Sequence, residues 1–210
     1  MEIVTRDFNK VARTWDEEPR RVKMAGDVAD CIAKNVPLTS SMDVMDFGCG
    51  TGLLTLNIQP QVRSITGVDS SQGMLDILRT KIESLRLENV TALCKNLERG
   101  DVLDGSFHLV TSCMTLHHVR EIEPLLSSFH TIIHPGGSIA IADLDLDDGQ
   151  FHEDNTGIFH SGFDRDKLQQ EFLYAGFRDV RFRTATSVFK PIADGGTREF
   201  TIFLVTGRKM

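Results

Sequence analysis

Several protein classes are excluded by what this chain lacks. Its 210 residues hold only four cysteines (Cys31, Cys49, Cys94 and Cys113), far apart and without a CxxC pair, which argues for reduced thiols and against a disulfide framework or a zinc site. No stretch approaches the roughly 18 apolar residues of a membrane span. The opening residues, MEIVTRDFNK, mix charges of both signs and do not resemble a signal peptide. A cytoplasmic protein without a membrane partner is expected. Positive charge is also scarce. Lys and Arg total 23 against 30 Asp and Glu, a net charge of −7, whereas a nucleic-acid binder usually shows a basic patch. Internal repeats, low-complexity segments and long Pro/Ser linkers are absent. What remains, 40% hydrophobic and 25% charged residues, is ordinary for a globular domain, and the length suits one domain better than two.

Residues 7–34 are expected to be helical, because Ala25, Val28, Ala29 and Ile32 recur at helical spacing and Pro37 follows. In residues 1–40 the charges balance, seven of each sign. From residue 42 the pattern alternates. Strands are expected at 42–47, 64–69, 90–94, 107–114 and 138–144. Helices are expected from 53 to 58, from 74 to 87, and from 121 to 134, the last stopped by Pro135-Gly136-Gly137. Asp164 can cap a further helix that ends at Gly176. Two final strands, 179–188 and 200–207, flank a loop containing Asp194-Gly195-Gly196 and suit an antiparallel hairpin. Strands alternating with helices predict an α/β fold with a parallel sheet covered on both faces. Ligands of such sheets bind beyond the carboxyl ends of the strands.

The first strand runs into Asp46-Phe47-Gly48-Cys49-Gly50-Thr51-Gly52. Glycines at alternate positions allow a tight turn and close approach of a ligand, and the next helix aims its free N–H groups at the same place. Such glycines also make plain strand-to-helix turns. The second strand ends in Asp69, where a carboxylate can accept both hydroxyls of a ribose. Met74 can pack on an adenine face or fill the core.

The loop is DxGxGxG, not the GxGxxG of a dinucleotide fingerprint, which disfavours a nicotinamide-dependent oxidoreductase. Together, DFGCGTG (46–52), GVDSSQGML (67–75), FHLVTSCMTLHHV (107–119), HPGGSIAIAD (134–143) and YAGFRDV (174–180) resemble class I S-adenosylmethionine-dependent methyltransferases over about residues 42–207. The resemblance implies a Rossmann-like, seven-stranded, mostly parallel sheet with an antiparallel last strand. It also implies S-adenosylmethionine as cofactor. It places Gly48, Gly50 and Gly52 along the methionine and ribose part, with Cys49 on the same loop. Asp46 supports the loop and the cofactor's amino group, and Asp69, with Ser70 beside it, holds the ribose hydroxyls. Asn96-Leu97 stands where many relatives have an acid followed by an apolar residue at the adenine; Asn96 keeps an acceptor oxygen there. Cys113 and Met114 lie beside the methionine part. One domain over 1–210 follows, with 1–40 as an N-terminal helical lid, 41–210 as the cofactor-binding core and 145–163 as an active-site loop.

A sulfonium methyl is already electrophilic, so the protein must mainly hold a nucleophile in line. A hydroxyl or ammonium acceptor also needs a base. His117, next to His118 after the fourth strand, is the candidate base; capping or packing under the cofactor is the structural alternative, and tandem histidines rarely share one metal ion. No metal is expected. The fourth strand leads into no Asn-Pro-Pro-aromatic motif, which lowers the case for nucleobase or glutamine methylation. Trp15 and His160 are candidate substrate contacts, with core packing and a plain loop position as their alternatives. Residues 121–164 contain nine acids and no Lys or Arg; the plain reading is a strand end with solvated carboxylates, and the sharper one is an acidic active-site rim favouring neutral or cationic substrates over phosphorylated ones. Within them, DLDLDDG (143–149) only partly matches a calcium loop. The expected function is methyl transfer to an oxygen or nitrogen of a small molecule, with no nucleic-acid partner. A protein methyltransferase or a non-catalytic S-adenosylmethionine-binding accessory protein is the alternative. The acceptor and the oligomeric state are not set by the sequence.

Overall fold

The period-2 strand patterns and the period-3.6 helix patterns meet in one sheet with helices on both faces. The computed structural model describes residues 6–192 and 195–210. Its strands are β1 (Asp43–Phe47), β2 (Ser64–Asp69), β3 (Val90–Cys94), β4 (Phe107–Cys113), β5 (Ile133–Leu144), β6 (Arg178–Pro191) and β7 (Thr197–Arg208). They form a seven-stranded sheet in the order β3-β2-β1-β4-β5-β7-β6. β1 to β5 pair in parallel, and β7 runs antiparallel to both β5 and β6. The Rossmann-like arrangement and the antiparallel hairpin expected from the sequence are both present. Asp194, in the hairpin loop, and residues 1–5 lie outside the described residues.

Alternate strand residues face opposite layers. Val44, Leu109, Ala140 and Leu204 pack with α1 (Pro19–Asn35) and α2 (Leu53–Ile58). Met45, Val110, Ile141 and Val205 pack with α4 (Ile122–Ile132) and α5 (Arg165–Tyr174), where Phe129 and Phe172 are fully buried. Each such side chain contributes about 1.5–3 kcal/mol by leaving water. α3 (Gln72–Leu85) buries Leu75 and Leu78 against Cys49. Among the described residues no helix is long and apolar enough to cross a membrane.

Two elements differ from expectation. The helix expected over 7–34 is divided: short 3₁₀ turns at Phe8–Lys10 and Ala12–Glu17 precede α1, which begins at Pro19. Proline disfavours helical backbone in the residue before it and is itself suited to a first helical position. Glu18 is accordingly extended and caps α1 by accepting from the Arg20 N–H. The helix expected to run to 134 ends at Ile132, and β5 starts at once at Ile133. Pro135-Gly136-Gly137 lies within a register shift of β5 rather than in a loop before it. The backbone of Lys209 holds that shift, donating to Gly137 and accepting from Gly136.

The chain leaves β1 toward β2 and β3, then returns to β4 on the other side of β1. This switch point opens a crevice at the strands' carboxyl ends. The glycine loop after β1 and the segment after β4 face each other across it.

Candidate functional site

The crevice is a cavity of about 1090 Å³. At one end lies the glycine loop. Gly48 and Cys49 donate their N–H groups to the Val68 carbonyl at 2.7 and 3.1 Å, which ties the loop to β2. All three glycines have positive φ, but they serve different ends. A Cβ on Gly48 would lie 2.2 Å from Thr115 Oγ1, so this glycine lets the loop press on the turn after β4. A Cβ on Gly50 would meet nothing within 4 Å. Gly50 therefore faces open cavity. Gly52 departs from expectation. It caps α2, its Cβ would lie 2.4 Å from Leu78 Cδ1, and it does not line the cavity. Its left-handed backbone, with Leu78 Cδ1 close by, accounts for the glycine.

Carboxylates lie beneath and beside the loop. Asp46 is buried and accepts from Thr55 Oγ1 at 2.6 Å and Thr111 Oγ1 at 3.1 Å. Burial, against the pull of these hydroxyls, pushes it up to about 7. Asp69 accepts from the Gly50 N–H and the Ser71 N–H, each at 2.8 Å, and burial, against the pull of these N–H groups, raises it from its ordinary value. Cys49, Ser70, Met74, Asn96, Leu97, Cys113 and Met114 complete this end. Burial pushes the Cys49 and Cys113 thiols up, which keeps them as protonated, weakly nucleophilic groups. Met114 takes a φ of +56°, a strained turn that carries the chain from β4 across the cavity wall. This end fits an adenosyl ligand. It offers open space over Gly50, an acceptor carboxylate for a diol at Asp69, and two apolar side chains, Met74 and Leu97, for a flat base.

The other end was only partly foreseen. His117 is 1% exposed, and its Nδ1 lies 2.6 Å from Asp143 Oδ1 on β5. Burial pushes Asp143 up, but His117 and the backbone N–H groups of Leu144 and His117 outweigh it and hold Asp143 below its ordinary value. A carboxylate accepts only, so His117 Nδ1 carries the proton and Nε2 carries the lone pair. Nε2 is buried and unpartnered among the described residues, on a ring in the cavity wall. His118 Nδ1 donates to the Gly157 carbonyl at 2.9 Å.

Trp15 lines the cavity, with Phe8 edge-on to it at 5.9 Å. His160 does not line it. Its Nε2 donates to the Val119 carbonyl at 3.0 Å and its ring lies against Phe163, so it braces the turn from behind. His152 takes the place expected for it, 4.9 Å from the His117 ring and also with an unpartnered Nε2. No sequence periodicity marks His152, because its segment is irregular. Residues from the N-terminal segment and from 145–163 both wall this end. Asn9 fixes the former to α3 by accepting from the Gly73 N–H and the Ser71 hydroxyl, and Asp16 fixes it to Thr51.

Among the described residues, most of the acids of 121–164 do not reach the cavity. Asp143 serves His117, Asp145 accepts from Arg165 and Thr201, and Asp147 accepts from the backbone of Gly149 and Phe151. Of the nine acids, Glu121, Glu153 and Asp154 line the cavity; Arg6, Arg20, Arg21, Lys95, Arg120 and Lys190 line it as well. Most of these cations come from the N-terminal segment and β6, far off in sequence. Among the described residues, no group of three or more His, Cys, Asp or Glu side chains is placed to hold a metal ion.

The buried histidines imply a pH effect on folding. Burial, reinforced by neighbouring His117, lowers His118 to about 4 and His152 to about 3, against an unfolded value near 6.5. Below pH 6.5 the unfolded chain binds protons that the folded chain refuses, so this contribution is lost as pH falls toward the folded values. Asp46, raised in the fold, acts in the opposite sense. A comparison isolates one histidine. Relative to His152→Asn, the wild type is expected to lose stability between pH 6.5 and 4.5. The limit is about 1.4 kcal/mol per pH unit, reduced by the ring's partial exposure. Urea unfolding of both proteins at each pH measures it, and parallel curves would contradict it.

Comparison with known proteins agrees with this geometry. Residues 44–137 match a family described as a methyltransferase domain. An uncharacterized methyltransferase of Schizosaccharomyces pombe is 30% identical over 138 residues, covering 59% of this chain and 48% of that protein. The chain thus spans about half the length of this curated relative. Among solved structures, a putative methyltransferase of Haloferax volcanii, in complex with the Trm112 methyltransferase activator, superposes with a TM-score of 0.76 at 16% identity, covering 97% of this chain and 98% of that one. Phosphoethanolamine N-methyltransferase 2 of Haemonchus contortus, in complex with S-adenosyl-L-methionine, gives a TM-score of 0.69 at 16% identity, covering 86% and 52%. At these identities the structural likeness speaks for the fold, and the sequence matches speak for the family. Residues 44–137 thus match a methyltransferase domain, and the comparisons support a class I S-adenosylmethionine-dependent methyltransferase, a family whose cofactor is S-adenosylmethionine.

Proposed function

We propose that this protein transfers a methyl group to an oxygen or nitrogen of a small-molecule acceptor. The observation that carries the reading is one continuous cavity. It joins the glycine loop to a chamber walled by Phe8, Trp15 and Phe151 and by His117, which Asp143 backs. S-adenosylmethionine, when bound, supplies an electrophilic methyl on a sulfonium. Gly48 and Gly50 let its methionine part approach the backbone, and Asp46 backs the loop. Asp69 accepts the ribose hydroxyls, with Ser70 beside it. Met74 and Leu97 flank the adenine, and Asn96 accepts from its amino group. Cys113 borders the methionine part.

The protein's own work is then positioning, exclusion of water and removal of one proton. His117 presents a lone pair on Nε2, held in that tautomer by Asp143, and takes the proton of an acceptor O–H or N–H. Trp15 packs against the acceptor. The covering segments 6–17 and 145–163 exclude water. A chamber covered in this way suits a small molecule better than a protein side chain on a large surface.

The test is release of S-adenosylhomocysteine from S-adenosylmethionine across a metabolite panel, beside a panel of peptides. Turnover of metabolites alone is expected. Turnover of peptides alone would turn the reading to a protein methyltransferase. Cofactor binding without turnover on either panel would turn it to an accessory protein. A thermal shift with S-adenosylhomocysteine but not NAD is expected in the same samples.

A further inference from the structure

The acceptor end holds two cations for which methyl transfer has no evident use. Arg20, at the start of α1, is satisfied by Glu18 through bonds of 2.9 and 3.0 Å. Arg21 is not matched in this way. Its guanidinium stacks 3.8 Å from the Trp15 ring centre, and its Nη1 donates to the Trp15 carbonyl at 3.1 Å. Lys190 reaches in from β6, its ammonium 4.5 Å from the Phe151 ring centre and donating to the Phe151 carbonyl. Among the described residues, no carboxylate lies within ion-pair distance of either group.

Both side chains are half-buried in the cavity wall. Burial lowers both below their ordinary values. Around Lys190 the charges of Glu153 and Glu18 act against burial while Arg20 and Arg21 act with it; around Arg21, Glu18 and Asp16 act against burial while Arg6 and Arg20 act with it. Like charges held together on an apolar wall are unfavourable until an anion joins them. Each is stacked on an aromatic ring, which leaves the remaining N–H donors to face a ligand.

Resting on the reading of this chamber as the acceptor site, we propose that the acceptor is a flat, apolar molecule carrying an anionic group, which Arg21 and Lys190 bind while Trp15 and Phe151 pack against its body. The anionic group anchors the molecule at Arg21 and Lys190 and leaves its nucleophilic atom to His117. Selectivity follows, because a neutral analogue leaves the two cations unmatched. This is the reverse of the preference suggested by the acidic sequence of residues 121–164.

A pair of dyes tests this without knowing the acceptor. 8-Anilinonaphthalene-1-sulfonate and N-phenyl-1-naphthylamine share one aromatic body and differ by the sulfonate. Each is titrated by fluorescence into the full chain in low salt, with and without S-adenosylhomocysteine. The sulfonate is expected to bind about tenfold tighter than the neutral dye. Arg21→Gln and Lys190→Gln are each expected to weaken the sulfonate about tenfold, with little change for the neutral dye, and Lys190→Arg is expected to retain binding. Equal affinities, no binding of either dye, or sulfonate binding untouched by both glutamine variants would overturn the proposal. The thermal shift with S-adenosylhomocysteine on the same samples reports the underlying reading separately. Its absence would fail the methyltransferase assignment whatever the dyes do.

Discussion

Asp69→Ala is expected to weaken S-adenosylhomocysteine binding by a hundredfold or more. Asp69 stands at the carboxyl end of β2, beside the switch point, with its two oxygens holding the Gly50 and Ser71 N–H groups at 2.8 Å. A carboxylate has about four lone-pair sites, so two remain for the ribose diol. Hydrogen bonds to a charged group contribute about 1.5–3 kcal/mol each, so losing two costs a factor of about 10² to 10⁴. The alanine variant also releases Gly50, and the loop loses the bond that fixes its open face. At a ligand concentration of 100 times the wild-type dissociation constant, the wild type gains about 2.7 kcal/mol of stability. A variant a hundredfold weaker gains only about 0.4 kcal/mol at the same concentration. A thermal shift series measures this directly. A shift equal to the wild type's would remove Asp69 from the site.

His117→Ala is expected to lower kcat by about 10² to 10⁴ while leaving the S-adenosylhomocysteine thermal shift near that of the wild type. The expectation rests on geometry. The imidazole is buried, its Nδ1 proton is committed to Asp143 at 2.6 Å, and its Nε2 has no partner among the described residues. An unpaired buried nitrogen costs free energy, which a purely structural histidine would avoid by bonding both nitrogens. Asp143→Asn probes the same pair differently. An amide NH₂ donates to Nδ1, moves the ring proton to Nε2 and turns the lone pair away from the acceptor. A comparable loss of kcat is expected. A structural role would move stability but give no rescue. Partial recovery of His117→Ala by added imidazole, rising with pH as imidazole loses its proton, is the distinguishing readout. A kcat within about threefold of wild type would make His117 a packing residue and mean that the acceptor needs no base.

The sheet was legible because its cause is local. Val44 and Met45, or Leu109 and Val110, are adjacent residues that must face opposite sides, and both sides are apolar, so two covering layers follow. The glycine loop and Asp69 were legible for the same reason, since each directly follows a strand. Errors arose where a distant partner decided the outcome. Gly52 holds a left-handed backbone at the cap of α2, with Leu78 Cδ1 of α3 2.4 Å from where its Cβ would be, a conformation and a contact invisible in DFGCGTG. His160 and His152 lie in one irregular segment, and only its folded path turns one toward Val119 and the other toward His117. The acid-rich run looked like a rim because composition counts charges without their partners. Arg165 and Thr201 neutralise or satisfy Asp145, and His117 occupies Asp143.

The sequence by itself determined the layered α/β sheet, the glycine loop after β1 and the carboxylate that ends β2. All of these follow from periodicity and from backbone demands within a few residues. The tertiary structure alone decided the chamber at the other end of the cavity. Its walls come from the 3₁₀ turns before α1, the turn after β4, residues 145–163 and β6, segments that long-range packing brings together. The charge of that chamber, and the pairing of His117 with an aspartate 26 residues away, depend on which side chains meet across it.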